Sequence, residues 1–267
     1  MLIIFNKRLN LNQVIFLYNF NFVMSLVSTD SDGIFKNKYI RIKDKFVINN
    51  FVIPDDKMPE HPFDDNSRIN IIRLTIPNTV KSIKPYSFDD YVNLTSLNYF
   101  ASTDIPDFCF NNCGKLSSVH INNEKCKEIG MGAFRKCTNL KDVIISNDVK
   151  YIKKGAFEFT DNLKYVMILS KLISIEDEAF KNSGIEKIII PDSVEWLGKN
   201  IFIYCHKLNK ITISNYLYGK YQVNNAFDFK YLGLYNQDWI VEYDDTQNNY
   251  HMYKKSLNKE NKVEYHI

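Results

Sequence analysis

Any chemistry in this chain would have to come from a few side chains. It holds five cysteines (Cys109, Cys113, Cys126, Cys137, Cys205) and five histidines (His61, His120, His206, His251, His266). A thiolate beside an imidazole can act as a nucleophile, and Cys205 stands directly before His206. Neighbouring side chains in a turn rarely point together, however, and no third group is placed to orient the imidazole. Thiol ligation of zinc calls for close pairs such as Cys-x-x-Cys, and the chain has none. His-Glu-x-x-His and Gly-x-Ser-x-Gly are also missing from it. Gly130-Met131-Gly132 opens like a phosphate loop, but a dinucleotide fingerprint needs a third glycine and a strand–helix–strand unit. Asn93-Leu94-Thr95 fits a glycosylation acceptor, yet chance supplies such matches in a chain with 31 asparagines. The residues therefore point to no catalytic group, no metal and no cofactor.

Composition narrows the class. The chain has 267 residues, 45% of them hydrophobic and 14% aromatic, which is enough apolar matter for a continuous core. A net charge of +3 is too balanced for a dedicated nucleic-acid binder, so no nucleic-acid partner is expected. An odd number of widely spread cysteines argues for free thiols rather than a disulfide framework. Lys7 and Arg8 precede an apolar run over residues 14–28, the order found in a signal peptide. Asn19 and Asn21 interrupt that run, which is shorter than the roughly 20 residues of a membrane span, and Met24 is an alternative start. Residues 1–28 are accordingly a leader that is either disordered or a weak signal or anchor, and membrane association stays open.

A repeat positions everything else. Phe88, Phe110, Phe134, Phe157, Phe180 and Phe202 follow one another at spacings of 22, 24, 23, 23 and 22. Five residues before each stands Ile83, Ile105, Ile129, Ile152, Ile175 or Leu197, and three residues after stands Tyr91, Cys113, Cys137, Thr160, Ser183 or Cys205. An apolar triplet at offsets 0, +3 and +5 then follows, as in Leu140-Val143-Ile145 and Leu163-Val166-Ile168. Eight such triplets start at 48, 71, 94, 116, 140, 163, 185 and 208, the one at 185 arriving a residue early. Each triplet predicts a short β-strand, and the segment around each phenylalanine returns the chain along the opposite side. Burying about eight apolar side chains supplies roughly 12–24 kcal/mol, against roughly 30 kcal/mol or more to order a coil. One coil cannot fold alone, so the coils must stack. Gly130-Met131-Gly132 is then a repeat turn, and the five cysteines are small core residues.

The unit from Ile129 to Ile145 resembles a BspA-type leucine-rich repeat, as do Ile152 to Ile168 and Ile185 to Leu197, the last with its Ile190-Pro191-Asp192-Ser193-Val194 link. The resemblance implies a leucine-rich-repeat solenoid, with one short strand per coil in a curved parallel sheet, an irregular convex side and capped ends. It also implies a non-enzymatic protein at the cell surface or secreted, adhering to a protein partner. The expected layout is a cap over 29–47, about eight coils over 48–227, and a cap and tail over 228–267. Trp239 to Tyr243 reads as a last strand.

Within each strand the residues at offsets +2 and +4 should leave the core and face the concave side. Three apolar residues, Ile144, Met167 and Ile189, would then lie beside Tyr165, ringed by His120, Asp142, Lys187 and Lys210. These eight residues are the candidate binding site for a protein partner. The alternatives are that β-branched residues merely favour strands, or that a terminal segment covers the sheet. A monomer is expected, working at the cell surface or, if the leader is no signal, as a cytoplasmic adaptor using the same face.

Overall fold

The computed structural model describes residues 71–122, 125–168, 171–223, 226–235 and 238–257, with short strands outside them known by backbone pairing. Most of the predicted leader, the amino-terminal cap and the first coil lie outside the described residues. Among the outlying strands, Ser25–Thr29 pairs antiparallel with both Val14–Ile15 and Phe35–Tyr39 in a sheet of their own.

The apolar triplets form a parallel ladder, one strand per coil. Phe51–Val52, Arg73–Ile76, Ser96–Tyr99, Ser118–Ile121, Asp142–Ile145 and Tyr165–Ile168 pair in succession, with Leu74, Leu97, Val119, Val143 and Val166 in one row. Lys187–Ile189 pairs next with Lys210–Ser214. The pairing lapses between Tyr165–Ile168 and Lys187–Ile189, so the ladder divides into two sheets where the triplet follows its phenylalanine by five residues instead of six.

The opposite side is more regular than the repeat alone suggested. Glu128–Ile129, Tyr151–Ile152, Ser174–Ile175 and Trp196–Leu197 form a second parallel ladder, to which a single bridge joins Ile105. These are the residues five before each phenylalanine. Two-residue strands have no alternation to betray them, which is why an irregular side was expected.

Between the ladders the six phenylalanines are fully buried and stacked. Successive ring centroids lie 5.1, 5.5, 5.5, 5.3 and 6.0 Å apart, with interplanar angles of 4, 6, 9, 5 and 14°. Each ring thus covers the next at the spacing of adjacent strands. The residues two before and two after each phenylalanine have positive φ: Tyr86, Phe108, Gly132, Gly155, Glu178 and Asn200 before, and Asp90, Asn112, Lys136, Phe159, Asn182 and Tyr204 after. Gly130-Met131-Gly132 is one such turn.

The carboxyl end departs from the repeat. Ala226-Phe227, which echo Ala133-Phe134, Ala156-Phe157 and Ala179-Phe180 in sequence, pair instead with Gln222–Val223. The coil-like contact beyond Phe202 comes from Tyr231 and Leu232, whose carbonyls accept the N–H groups of Asn200 and Phe202 at 2.8 and 2.9 Å. After a short helix, Asn215–Lys220, the strands Trp239–Asp244 and Asn249–Lys254 form a hairpin, and Asn249–Lys254 pairs antiparallel with Lys210–Ser214. Turning the ladder antiparallel covers the edge that a further coil would have used.

Two substitutions test this packing by denaturant unfolding. Phe157→Ala is expected to cost about 3–5 kcal/mol, because its ring is sandwiched between two others and leaves a cavity. Near-wild-type stability would refute the stacked coil. Gly155→Ala should cost only about 1 kcal/mol, since its φ of +60° is the strain and the new Cβ meets nothing closer than 3.6 Å. Gly130→Ala should cost about 3 kcal/mol, because its Cβ would fall 2.6 Å from the Ile105 carbonyl oxygen of the preceding coil.

Candidate binding face on the parallel sheet

Strand pairing lines up the outward side chains as the repeat predicts. One row runs Arg73, Ser96, Ser118, Asp142, Tyr165, and the parallel row runs Thr75, Asn98, His120, Ile144, Met167. Beyond the lapse in pairing, Lys187 faces Lys210 and Ile189 faces Thr212. The eight candidates therefore share one face. Tyr165, Met167 and Ile189 are 49, 57 and 69% exposed, values that exclude them from the core. His120, Asp142 and Lys187 are exposed, while Ile144 and Lys210 are half-buried.

The electrostatic setting differs along the face. Asp142 and His120 lie on the amino-terminal side of the apolar row, and Lys187 and Lys210 on the carboxyl-terminal side. The Lys210 ammonium sits 4.9 Å from the centre of the Tyr253 ring, a cation–π contact that pins it. The Tyr165 hydroxyl donates to Glu186 at 3.5 Å, and Lys164 pairs with the same carboxylate at 3.1 Å. That pairing holds the Lys164 ammonium above its ordinary range.

The cap hairpin extends the face with residues the repeat could not supply. Register places His251 and Glu242 in the row of Thr212, and Tyr253 and Ile240 in the row of Lys210. His251 Nδ1 lies 2.9 Å from the Thr212 hydroxyl and its Nε2 3.4 Å from Asp244. A hydroxyl, an imidazole and a carboxylate in series resemble a hydrolytic triad, but Thr212 is buried and cannot meet a substrate. The alternation of Trp239 to Tyr243 was the sequence signal for this strand; its pairing partner left none.

The cysteines take no part in the face. All five are buried and free. Cys113, Cys137 and Cys205 donate to the carbonyls of Phe88, Phe110 and Phe180 in the preceding coil at 3.3, 3.2 and 2.9 Å. Burial pushes the Cys126 thiol up to about 12 and the Cys205 thiol to about 11, and drives Cys109 and Cys113 well above the ordinary thiol range. Among the described residues no three His, Cys, Asp or Glu side chains gather as a metal site, and no helix is long and apolar enough to cross a membrane. A shallow groove beside the strand ends, lined by Thr75, Pro77, Asn78, Phe100, Ser102, Asn122 and Lys125, presents one titratable side chain and no acid–base pair.

A family model for the BspA type leucine rich repeat region matches residues 57–184 and 127–234, six copies in all. Together these stretches cover two-thirds of the chain. The protein belongs to that family. Among solved structures, a leucine rich cell surface protein from Faecalibacterium prausnitzii is similar with a TM-score of 0.50 at 17% identity, over 85% of this chain and 60% of that one. A leucine-rich repeat protein from Bacteroides ovatus aligns at 20% identity and a TM-score of 0.41, over 74% of this chain and 66% of that one. The pneumococcal vaccine antigen PcpA aligns at 20% identity and a TM-score of 0.41, over 77% of this chain and 51% of that one. This BspA-type chain thus spans less than two-thirds of each of these. The first likeness bears on the fold. No curated protein matches the sequence.

Thiol chemistry offers a check on the buried column. In the native protein at neutral pH the five cysteines should resist alkylation, and all should react once the chain is unfolded. The pH dependence has a definite sign. An unfolded thiol ionises near pH 9, and Cys109, Cys113, Cys126 and Cys205 higher, so their contribution to stability is complete below about pH 9 and is lost as pH rises above it. Thermal melts should therefore fall from about pH 9 upward, less steeply in a Cys126→Ala/Cys205→Ala variant.

Proposed function

We propose that this BspA-type protein is a non-enzymatic recognition module that binds a protein partner through the strand face, at the cell surface. The observation that carries the proposal is the run of Tyr165, Met167 and Ile189, large apolar side chains left in solvent on consecutive strands. Elsewhere on the same face the outward positions are polar or at least half-buried. An apolar centre with a charged rim is the make-up of a protein-binding hot spot, here with Ile144 at its edge and His120, Asp142, Lys187 and Lys210 around it. The family supports a role in recognition, and the similar Faecalibacterium prausnitzii protein is described as a cell surface protein. On this reading residues 48–227 carry the coils, 29–47 and 228–267 cap them, and 1–28 serve as the leader.

A second reading, an intracellular scaffold using the same face, draws on the five free cysteines. Their burial makes them inert in an oxidising compartment as well, so the surface reading stands first. Thiol labelling of intact cells followed by fractionation separates the two.

The test of the face is a Tyr165→Glu/Met167→Glu variant. Both side chains are exposed, so unfolding stability should change by no more than about 0.5 kcal/mol per site. Affinity capture with the wild-type protein should retain a specific partner that the variant loses. Capture of the same partner by both proteins would refute the face as the site, and a cooperative loss of folding would show that these side chains belong to the core.

A further inference from the structure

The outer strand of the cap hairpin, Trp239–Asp244, is an open edge. One of its edges pairs with Asn249–Lys254, and among the described residues no strand pairs with the other. Three of the usual protections are missing: its sequence, Trp-Ile-Val-Glu-Tyr-Asp, carries no proline and no lysine, and its pairing runs unbroken with no bulge, leaving Glu242 and Asp244 as its only charges. Which backbone groups are open follows from the hydrogen bonds around it. The Lys255 N–H donates to the Asp238 carbonyl at 2.8 Å, and the Lys254 N–H donates to Asn209 on the opposite side at 2.9 Å. Antiparallel pairing alternates, so Asp238, Ile240, Glu242 and Asp244 direct their N–H and C=O groups to the hairpin partner. Trp239, Val241 and Tyr243 direct theirs outward.

We propose that this edge pairs with the same edge of a second copy, antiparallel, about a two-fold axis through Val241. Several registers are conceivable, and the residues choose among them. Centring on Val241 sets Val241 against Val241 of the second copy and Trp239 against Tyr243 in both directions. All three outward-directed residues of each strand are then paired, giving six backbone hydrogen bonds. Centring on Ile240 leaves Tyr243 without one of those three partners, and centring on Glu242 sets two glutamates directly opposite. The Val241 register also keeps odd-numbered residues on the core side and even-numbered residues on the outward side in both copies. It matches the indole of Trp239 with the ring of Tyr243, an aromatic cross-strand pair at each end. The Trp239 Nε1 is buried without a hydrogen-bond partner in the single chain. One unfavourable pair accompanies the register, because Asp238 faces Asp244 of the other copy at both ends.

The dimer joins two solenoids through one continuous sheet. With the axis perpendicular to that sheet, both strand faces point the same way. This inference does not depend on the binding reading of that face, though two patches on one side would give a bivalent surface.

Sedimentation of the full chain over a wide concentration range tests the proposal. The expected result is a reversible monomer–dimer equilibrium. Val241→Pro should abolish the dimer by removing the central donor. Asp238→Lys, at an exposed position, should tighten it about ten-fold by turning two repulsive pairs into attractive ones. A monomer at every concentration, leaving the edge for a strand of some other protein, would overturn the proposal. So would a dimer that Asp238→Lys fails to strengthen, whatever Val241→Pro does to the hairpin.

Discussion

Every coil rests on hydrogen bonds it makes to the next. At the turns from Phe88 to Phe180, the N–H groups of the residue two before the phenylalanine, of the phenylalanine itself and of the residue two after all donate forward. In one coil Gly132, Phe134 and Lys136 donate to Lys154, Ala156 and Glu158 at 3.0, 2.8 and 2.8 Å. In the next, Gly155, Phe157 and Phe159 donate to Asp177, Ala179 and Lys181 at 3.1, 2.8 and 2.9 Å. The two left-handed residues flanking each phenylalanine accompany this one-directional alignment. A non-glycine residue in that conformation costs about 1–2 kcal/mol, and Glu178, Lys136 and Phe159 all accept the cost. A buried N–H left without a partner costs about 1–3 kcal/mol, so the strain is offset wherever it closes a cross-coil bond.

Once the backbone is fixed in this way, each residue sits over its equivalent one repeat along, and side chains fall into columns. The phenyl stack is the apolar example. The charged example is Arg135, Glu158 and Lys181, each immediately after a stacked phenylalanine: Glu158 accepts from Arg135 at 2.8 Å and pairs with Lys181 at 3.0 Å. That pairing raises the Lys181 ammonium above its ordinary range. Columns also forbid certain side chains. A Cβ at Gly184 would collide with the Asp161 carbonyl oxygen of the coil before, so stacking distance dictates the residue type there.

Columns are what made this fold legible in the sequence. The period, the inward triplets, the mostly small residues three after the phenylalanines and the two outward rows of the strand face could all be assigned by counting, because each is a property repeated along the chain. The second ladder was hidden, since two residues per strand carry no alternation. Left-handed positions were hidden too, because five different residue types occupy the columns two before and two after phenylalanine outside glycine and asparagine. At the carboxyl end, Ala226-Phe227 had the repeat's composition without its place, whereas Leu232 had its place without its composition. Pairing of Lys210–Ser214 with Asn249–Lys254 joins two segments of unrelated sequence, and no local pattern encodes a contact between them.

The single missing residue before Ile185 connects the fold to the face. Within the intact ladder Ile144 is flanked by in-register neighbours on both sides, His120 and Met167, and it is half-buried. Met167 and Ile189 stand on either side of the lapse in pairing, each with an in-register neighbour on one side only. They are the most exposed apolar side chains of the face. The core row registers the same loosening: Ile168 is half-buried, whereas Ile145 and Ile190, its equivalents in the coils on either side, are fully covered. The coil from Leu94 to Leu116 is just as short and keeps its register. The lapse therefore follows not coil length but the place of the deletion, between Phe180 and a strand segment that starts five residues later instead of six.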